Sequence, residues 1–206
     1  MALPTTDMPG HRALHERVQA ALDTCVESQS IDFKESADVA TLQYKLIRTA
    51  MAMANLRDGG VIVIGAGERG ETWDLTGIRD EDLNSYNVDE LTDAINRYAS
   101  PPIAVELVLH YREGSRFLAV QVREFGDTPI VCRRDGPPGA GLKQGVLYVR
   151  PAGVARTSEV RSAEDMQDLL NLAAEKRARS ILETARRIGM QPPTPARRFD
   201  DELEGL

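Results

Sequence analysis

Apolar residues recur at helical spacing from His11 to about Val26, where Leu14, Val18, Ala21 and Leu22 share one side. Ser30 to Lys34 alternates instead. Ile31 and Phe33 point one way and Asp32 and Lys34 the other, which predicts a strand with one wet face. Asp38 can cap a helix running to about Asn55, with Leu42, Leu46, Thr49, Ala50 and Met53 on its buried side. Arg57-Asp58-Gly59-Gly60 stops it. Val61 to Ile64 is continuously apolar, as a strand buried on both faces must be. Gly65 to Gly70 turns the chain into a returning strand at Thr72 to Leu75.

A helix begins at Asn87 or Asp89 and ends before Ser100-Pro101-Pro102. Two alternating strands follow, one carrying Val105, Leu107 and Leu109 and the other Leu118, Val120 and Val122, with a turn at Glu113-Gly114. Short strands are expected at Ile130 to Arg133 and Val146 to Arg150, separated by a Gly- and Pro-rich loop from Asp135 to Gly145. Ala163 to about Ile188 reads as one long helix striped by Met166, Leu169, Leu170, Ala173, Ile181, Leu182, Ala185 and Ile188. This order predicts an α/β protein with a mixed sheet and flanking helices. It divides into a flexible arm (1–10), one domain (11–160), a C-terminal helix (161–189) and a disordered tail (190–206).

The 42% hydrophobic content can supply a core, and no apolar run approaches the ~18 residues that would span a bilayer. Cys25 and Cys132 lie far apart without a CxxC partner. That excludes a disulfide framework and a cysteine zinc site, and suits a reducing cytoplasm. The net charge of -7 is unevenly spread. Glu68 to Asp93 holds nine acids against Arg69 and Arg79, whereas Val105 to Arg161 holds nine Lys or Arg against six acids. The second half of the domain is therefore locally basic, although scattered charge of this kind also serves solubility.

Two glycine loops are decoys. Gly65-Ala-Gly67-Glu-Arg-Gly70 spells a dinucleotide fingerprint, but strand and turn residues follow where a helix would have to open. Gly136 to Lys143 looks like a phosphate loop, but Leu142 separates Lys143 from the last glycine and Gln144 stands where Ser or Thr should hold magnesium. His11 and His15 are one helical turn apart and could share a metal, yet nothing near them in sequence completes a site. Three carboxylates are better placed: Glu27 before the first strand, Asp32 on it, and Glu68 at the hairpin. If the two strands are neighbours, these acids can converge on Mg²⁺ or Mn²⁺ and support phosphodiester cleavage, with Lys34 holding a phosphate. Charged residues at strand ends are also commonly just solvated.

Glu27-Ser-Gln-Ser-Ile-Asp32-Phe33-Lys34, then Ala50-Met-Ala-Met-Ala-Asn55, then Gly59-Gly60-Val-Ile-Val-Ile64-Gly65, then Leu147-Tyr148-Val149-Arg150-Pro-Ala-Gly153 together resemble the Schlafen-type AlbA_2 domain. The resemblance covers about Glu27 to Thr157. The sequence departs from the pattern at Asp32, usually Glu, at Met53, usually Phe, in one extra residue between Asn55 and Gly59, and at Gly67, where a second hairpin acid is common. The resemblance implies a compact α/β domain that handles nucleic acid, RNA more than DNA. Carried over, the metal-binding and catalytic acids fall on Glu27, Asp32 and Glu68. Lys34, Arg133, Arg134, Lys143 and Arg150 would sit on phosphates. A groove needs two such lobes, so this one-lobed chain is expected to act as a homodimer or with a protein partner through its C-terminal helix. Three readings follow: a metal-dependent endoribonuclease, a non-catalytic nucleic-acid-binding or regulatory subunit of a larger defence-type complex, and, last, an ATP-binding protein.

Overall fold

The computed structural model describes residues 9–70 and 72–190. The expected arm and tail lie outside the described residues, apart from Pro9 and Gly10, which open the first helix, and Met190. Element order is α1 (Pro9–Thr24), β1 (Ile31–Lys34), α2 (Val39–Ala54), β2 (Gly60–Ile64), β3 (Gly67–Arg69), β4 (Thr72–Asp74), α3 (Asp80–Leu83) and α4 (Val88–Asn96). There follow β5 (Ala99–Ser100), β6 (Val105–Arg112), β7 (Ser115–Val122), β8 (Val131–Cys132), β9 (Tyr148–Val149), β10 (Ser158–Glu159) and α5 (Ala163–Arg187). Among the described residues no helix is long and apolar enough to cross a membrane. Both cysteines are free.

The main sheet has the order β1-β2-β7-β6, with β1 parallel to β2 and the other pairs antiparallel. Its two faces have separate cores. Ile31, Phe33, Val61, Val63, Val108 and Phe117 pack under α1 with Leu14, Val18 and Leu22. Ile62, Ile64, Leu107, Leu118 and Val120 pack under α2 and α4. The central strand β2 is buried throughout, as its unbroken apolar run requires. The apolar sets of β6 and β7 meet on one face, because Val105, Leu107 and Leu109 pair with Val122, Val120 and Leu118.

The expected caps hold: the Asp38 carboxylate accepts from Thr41 N–H, and Asn87 accepts from Asp89 and Glu90 N–H. Gly59 has φ +64°, and a Cβ there would run into the Val122 carbonyl oxygen, so the turn into β2 needs glycine. Two expectations change. Asp32 does not face water, since β1 is covered on that side as well. The α5 stripe is not buried as one face, since of its large residues only Leu169 reaches the core, joined by Leu172.

His15 and His110 bring α1 against β6, with their Nδ1 atoms 3.1 Å apart, while His110 Nε2 meets Gln19 Oε1 at 3.0 Å. Burial holds both imidazoles below their ordinary pKa. The His11 charge adds to this for His15 and the His15 charge for His110, with Asp23 opposing and Arg112 assisting at His110. The folded state therefore binds fewer protons than the unfolded chain once pH drops below about 6.5. Stability is expected to fall as pH decreases from 7 towards 5, and less so in His15→Gln. Urea denaturation across that range checks this, and identical pH dependence in the two proteins would rule the pair out as the cause.

Candidate nucleic-acid interface

Asp32 is only 5% exposed and Arg150 1%. The Arg150 Nη1 donates to Asp32 Oδ1 at 2.9 Å, and Nη2 donates to the carbonyls of Ser28 and Ile31 at 3.0 and 3.3 Å. Lys34 Nζ donates to the other Asp32 oxygen, and Gln29 Nε2 to the Arg150 carbonyl. The alternation of β1 places Asp32 on the α2 side of the sheet, level with Ile62. That side is closed by the segment carrying β9, which delivers Arg150. A buried carboxylate needs a matched cation and hydrogen bonds, and this arrangement supplies them. Arg150 is therefore an internal partner of Asp32, not a surface phosphate ligand.

Glu27 Oε1 accepts the Phe33 N–H at 2.7 Å and so covers an outer amide of the edge strand β1. Burial lifts its carboxyl above its ordinary pKa against the Phe33 bond, and the nearby Asp32 charge adds to the rise. Glu68 is exposed on β3. Glu27 and Glu68 line a cleft of about 420 Å³ together with Lys34, Glu35 and Lys45. Gly67 is tied to this cleft, because a Cβ there would lie 2.5 Å from Glu35 Cγ. The Glu35 side chain thus fills the space where a second hairpin acid would begin.

The structure brings Glu27 and Glu68 to one cleft, whereas Asp32, although near Glu27, is buried with both its oxygens engaged by Arg150 and Lys34. Among the described residues no three His, Cys, Asp or Glu side chains are grouped to hold a metal ion. The arrangement described here does not fit Mg²⁺ or Mn²⁺ on Glu27, Asp32 and Glu68. Neither glycine loop opens a helix: β2 runs into the β3–β4 hairpin, and the Gly136–Lys143 loop lies between β8 and β9.

The basic residues separate into two groups. Lys34 is held by Asp32, Lys143 by Glu159 at 2.8 Å, and Arg150 is buried. Arg133 and Arg134 are exposed and, among the described residues, have no carboxylate within 4.0 Å. The Arg133 N–H donates to the Tyr98 carbonyl at 2.7 Å, and the Arg134 guanidinium lies 4.6 Å from the Tyr98 ring centre. Tyr44 meets Tyr98 edge-on at 6.2 Å. Arg97, next to Tyr98 in sequence, is also exposed without a carboxylate partner among the described residues and lines a cleft with Gln43, Glu90 and Asp93. Sequence reasoning missed Arg97 and the two tyrosines. Their one local signal was Arg97-Tyr98 closing a helix just before two prolines.

No curated protein matches the chain. Among solved structures, the DIP2311 protein from Corynebacterium diphtheriae is similar over 77% of this chain at 20% identity, with a TM-score of 0.50. The match spans 28% of that protein, so the chain corresponds to under a third of its length. The N-terminal domain of a RecG-related protein from Nitrosomonas europaea matches 63% of this chain and 87% of its own at 22% identity, with a TM-score of 0.45. The Schlafen, AlbA_2 family matches residues 27–153, which contain β1 through β9 and both residues of the buried ion pair. The chain belongs to the Schlafen, AlbA_2 family.

Proposed function

We propose that the chain is a nucleic-acid-binding module without a hydrolytic metal site of its own, contacting phosphates through Arg97, Arg133 and Arg134 beside Tyr98. Family membership connects the chain with nucleic acid in general terms. The observation that carries the specific reading is the exposed guanidinium group around Tyr98, which has no carboxylate neutralising it among the described residues. Guanidinium groups match phosphate geometry, and the buried Tyr98 ring beneath Arg134 positions that guanidinium at the surface. RNA is the first ligand to test, following the resemblance described above. The acidic remainder of the chain limits non-specific attachment and favours action with a second subunit.

The test is fluorescence anisotropy with a labelled RNA oligonucleotide over a salt series. Arg133→Ala/Arg134→Ala is expected to weaken binding on the order of tenfold or more. It should also flatten the salt slope by about 0.7 per lost contact on single strands. Unchanged affinity and slope would refute the site. RNA cleavage with Mg²⁺ or Mn²⁺ that disappears in Glu68→Gln would instead establish the endoribonuclease reading, whose structural support is the cleft shared by Glu27, Glu35 and Glu68.

A further inference from the structure

The chain has three histidines, and all of them meet where α1 packs on β6. Burial lowers the pKa of His15 and His110 from an ordinary 6.5, so both rings are neutral near pH 7. His110 Nε2 lies 3.0 Å from Gln19 Oε1. Gln19 is fixed in that orientation, because its Nε2 donates to the Asp23 carboxylate at 2.8 Å and a carboxylate only accepts. His110 therefore carries its proton on Nε2 and has a lone pair on Nδ1. The facing Nδ1 of His15, 3.1 Å away, must then donate, which puts the lone pair of His15 on Nε2. One helical turn earlier, His11 Nε2 stands 3.8 Å from Glu106 Oε2, and Arg123 holds the other Glu106 oxygen. The carboxylate draws the His11 proton to Nε2, so the His11 lone pair is on Nδ1.

Those two lone pairs are the ones the protein leaves unused. His11 Nδ1 and His15 Nε2 are buried and, among the described residues, have no hydrogen-bond partner. Unused buried nitrogens are unfavourable and call for a ligand. The two residues are i and i+4 on α1, the spacing at which helix side chains are neighbours and two imidazoles can hold one ion. The opposite nitrogen of each ring faces a carboxylate or a second ring, the outer support that orients a ligating histidine. His11 and Glu106 also line the cleft beside the end of β7, which gives an ion a route from solvent.

We propose that His11 and His15 chelate a late first-row divalent cation, Zn²⁺ or Cu²⁺, through His11 Nδ1 and His15 Nε2. Imidazole nitrogen suits these ions, whereas Mg²⁺ prefers oxygen. No third His, Cys, Asp or Glu completes the shell among the described residues, so water from the cleft fills the remaining positions. The site is independent of the nucleic-acid reading and of the cleft shared by Glu27 and Glu68.

Isothermal titration calorimetry of the full chain without an affinity tag, at about pH 7.5, is expected to show one Zn²⁺ or Cu²⁺ per chain and no heat with Mg²⁺. The melting temperature should rise with Zn²⁺ concentration, because the ion binds the folded chain. Glu106→Gln should weaken binding about tenfold by removing the support of His11, and His11→Ala at least as much. The electron paramagnetic resonance spectrum of the Cu²⁺-loaded parent needs no variant and should show coupling to two nitrogens. No heat with either ion would overturn the proposal, as would coupling to one nitrogen or none. Full affinity in His11→Ala would also overturn it, and loss in His110→Gln alone would put the ion between the paired rings.

Discussion

Arg150→Met is expected to cost about 3–5 kcal/mol of folding stability, the usual consequence of removing one partner from a buried ion pair. In a domain of this size that lowers the melting temperature on the order of 10 °C. The guanidinium joins Asp32 to the carbonyls of Ser28 and Ile31, so its removal strands a carboxylate and frees two acceptors. Lys34 alone remains beside Asp32. The double variant Asp32→Asn/Arg150→Met should be more stable than the sum of the two single losses predicts, because no unpaired buried carboxylate is left. Thermal and urea denaturation of the three proteins measures this. A melting temperature for Arg150→Met within a degree or two of the parent would mean that Arg150 is not an internal partner. The same pairing affects any test of catalysis. Asp32→Ala would leave Arg150 buried and unpaired, so lost activity in that variant could reflect lost folding, and Glu68→Gln is the cleaner substitution.

Asn55→Ala is expected to cost about 3 kcal/mol or more. Asn55 is 4% exposed and ends α2. Its Nδ2 donates to the carbonyls of Ile130 and Tyr148, both at 2.9 Å, and its Oδ1 accepts the Ile130 N–H at 2.7 Å. One side chain thereby joins the helix to two segments that the small strands β8 and β9 could not hold alone. Alanine leaves a buried donor and two buried acceptors without partners, each penalised by desolvation. Asn55→Asp should be no better, since it keeps the acceptor, loses both donations and buries a charge. Chemical denaturation gives the magnitude, and hydrogen exchange gives the location: the Ile130 amide should lose protection before those of β2. Protection and stability equal to the parent would refute the role.

The motif of four ordered stretches is thereby largely explained in structural terms. Asn55 acts as a fastener, Gly59 permits a close approach to β7, and Asp32 and Arg150 form one buried pair. The residues of the proposed phosphate contacts, Arg97, Arg133 and Arg134, stand outside those stretches.

Short-range patterns determined much of this in advance. The apolar run of Val61 to Ile64 required a strand covered on both faces. The period of α2 and its Asp38 cap set that helix, and the glycines after Ile64 required a hairpin. Each depends on backbone geometry over a few residues, so each is written locally. The short α3, β3, β5 and β10 carry too few residues to leave a period, and they went unread. Alternation along β1 showed correctly that Asp32 and Lys34 oppose Ile31 and Phe33, but it could not show what covers the second face. That was decided by the tertiary structure, which brings Arg150 to Asp32 across a separation of 118 residues. The same holds for α5. Its sequence set out apolar positions at helical spacing, but only packing against the domain divided them into a buried side and an exposed one. Periodicity specifies directions around an element, whereas burial depends on which distant segment arrives there.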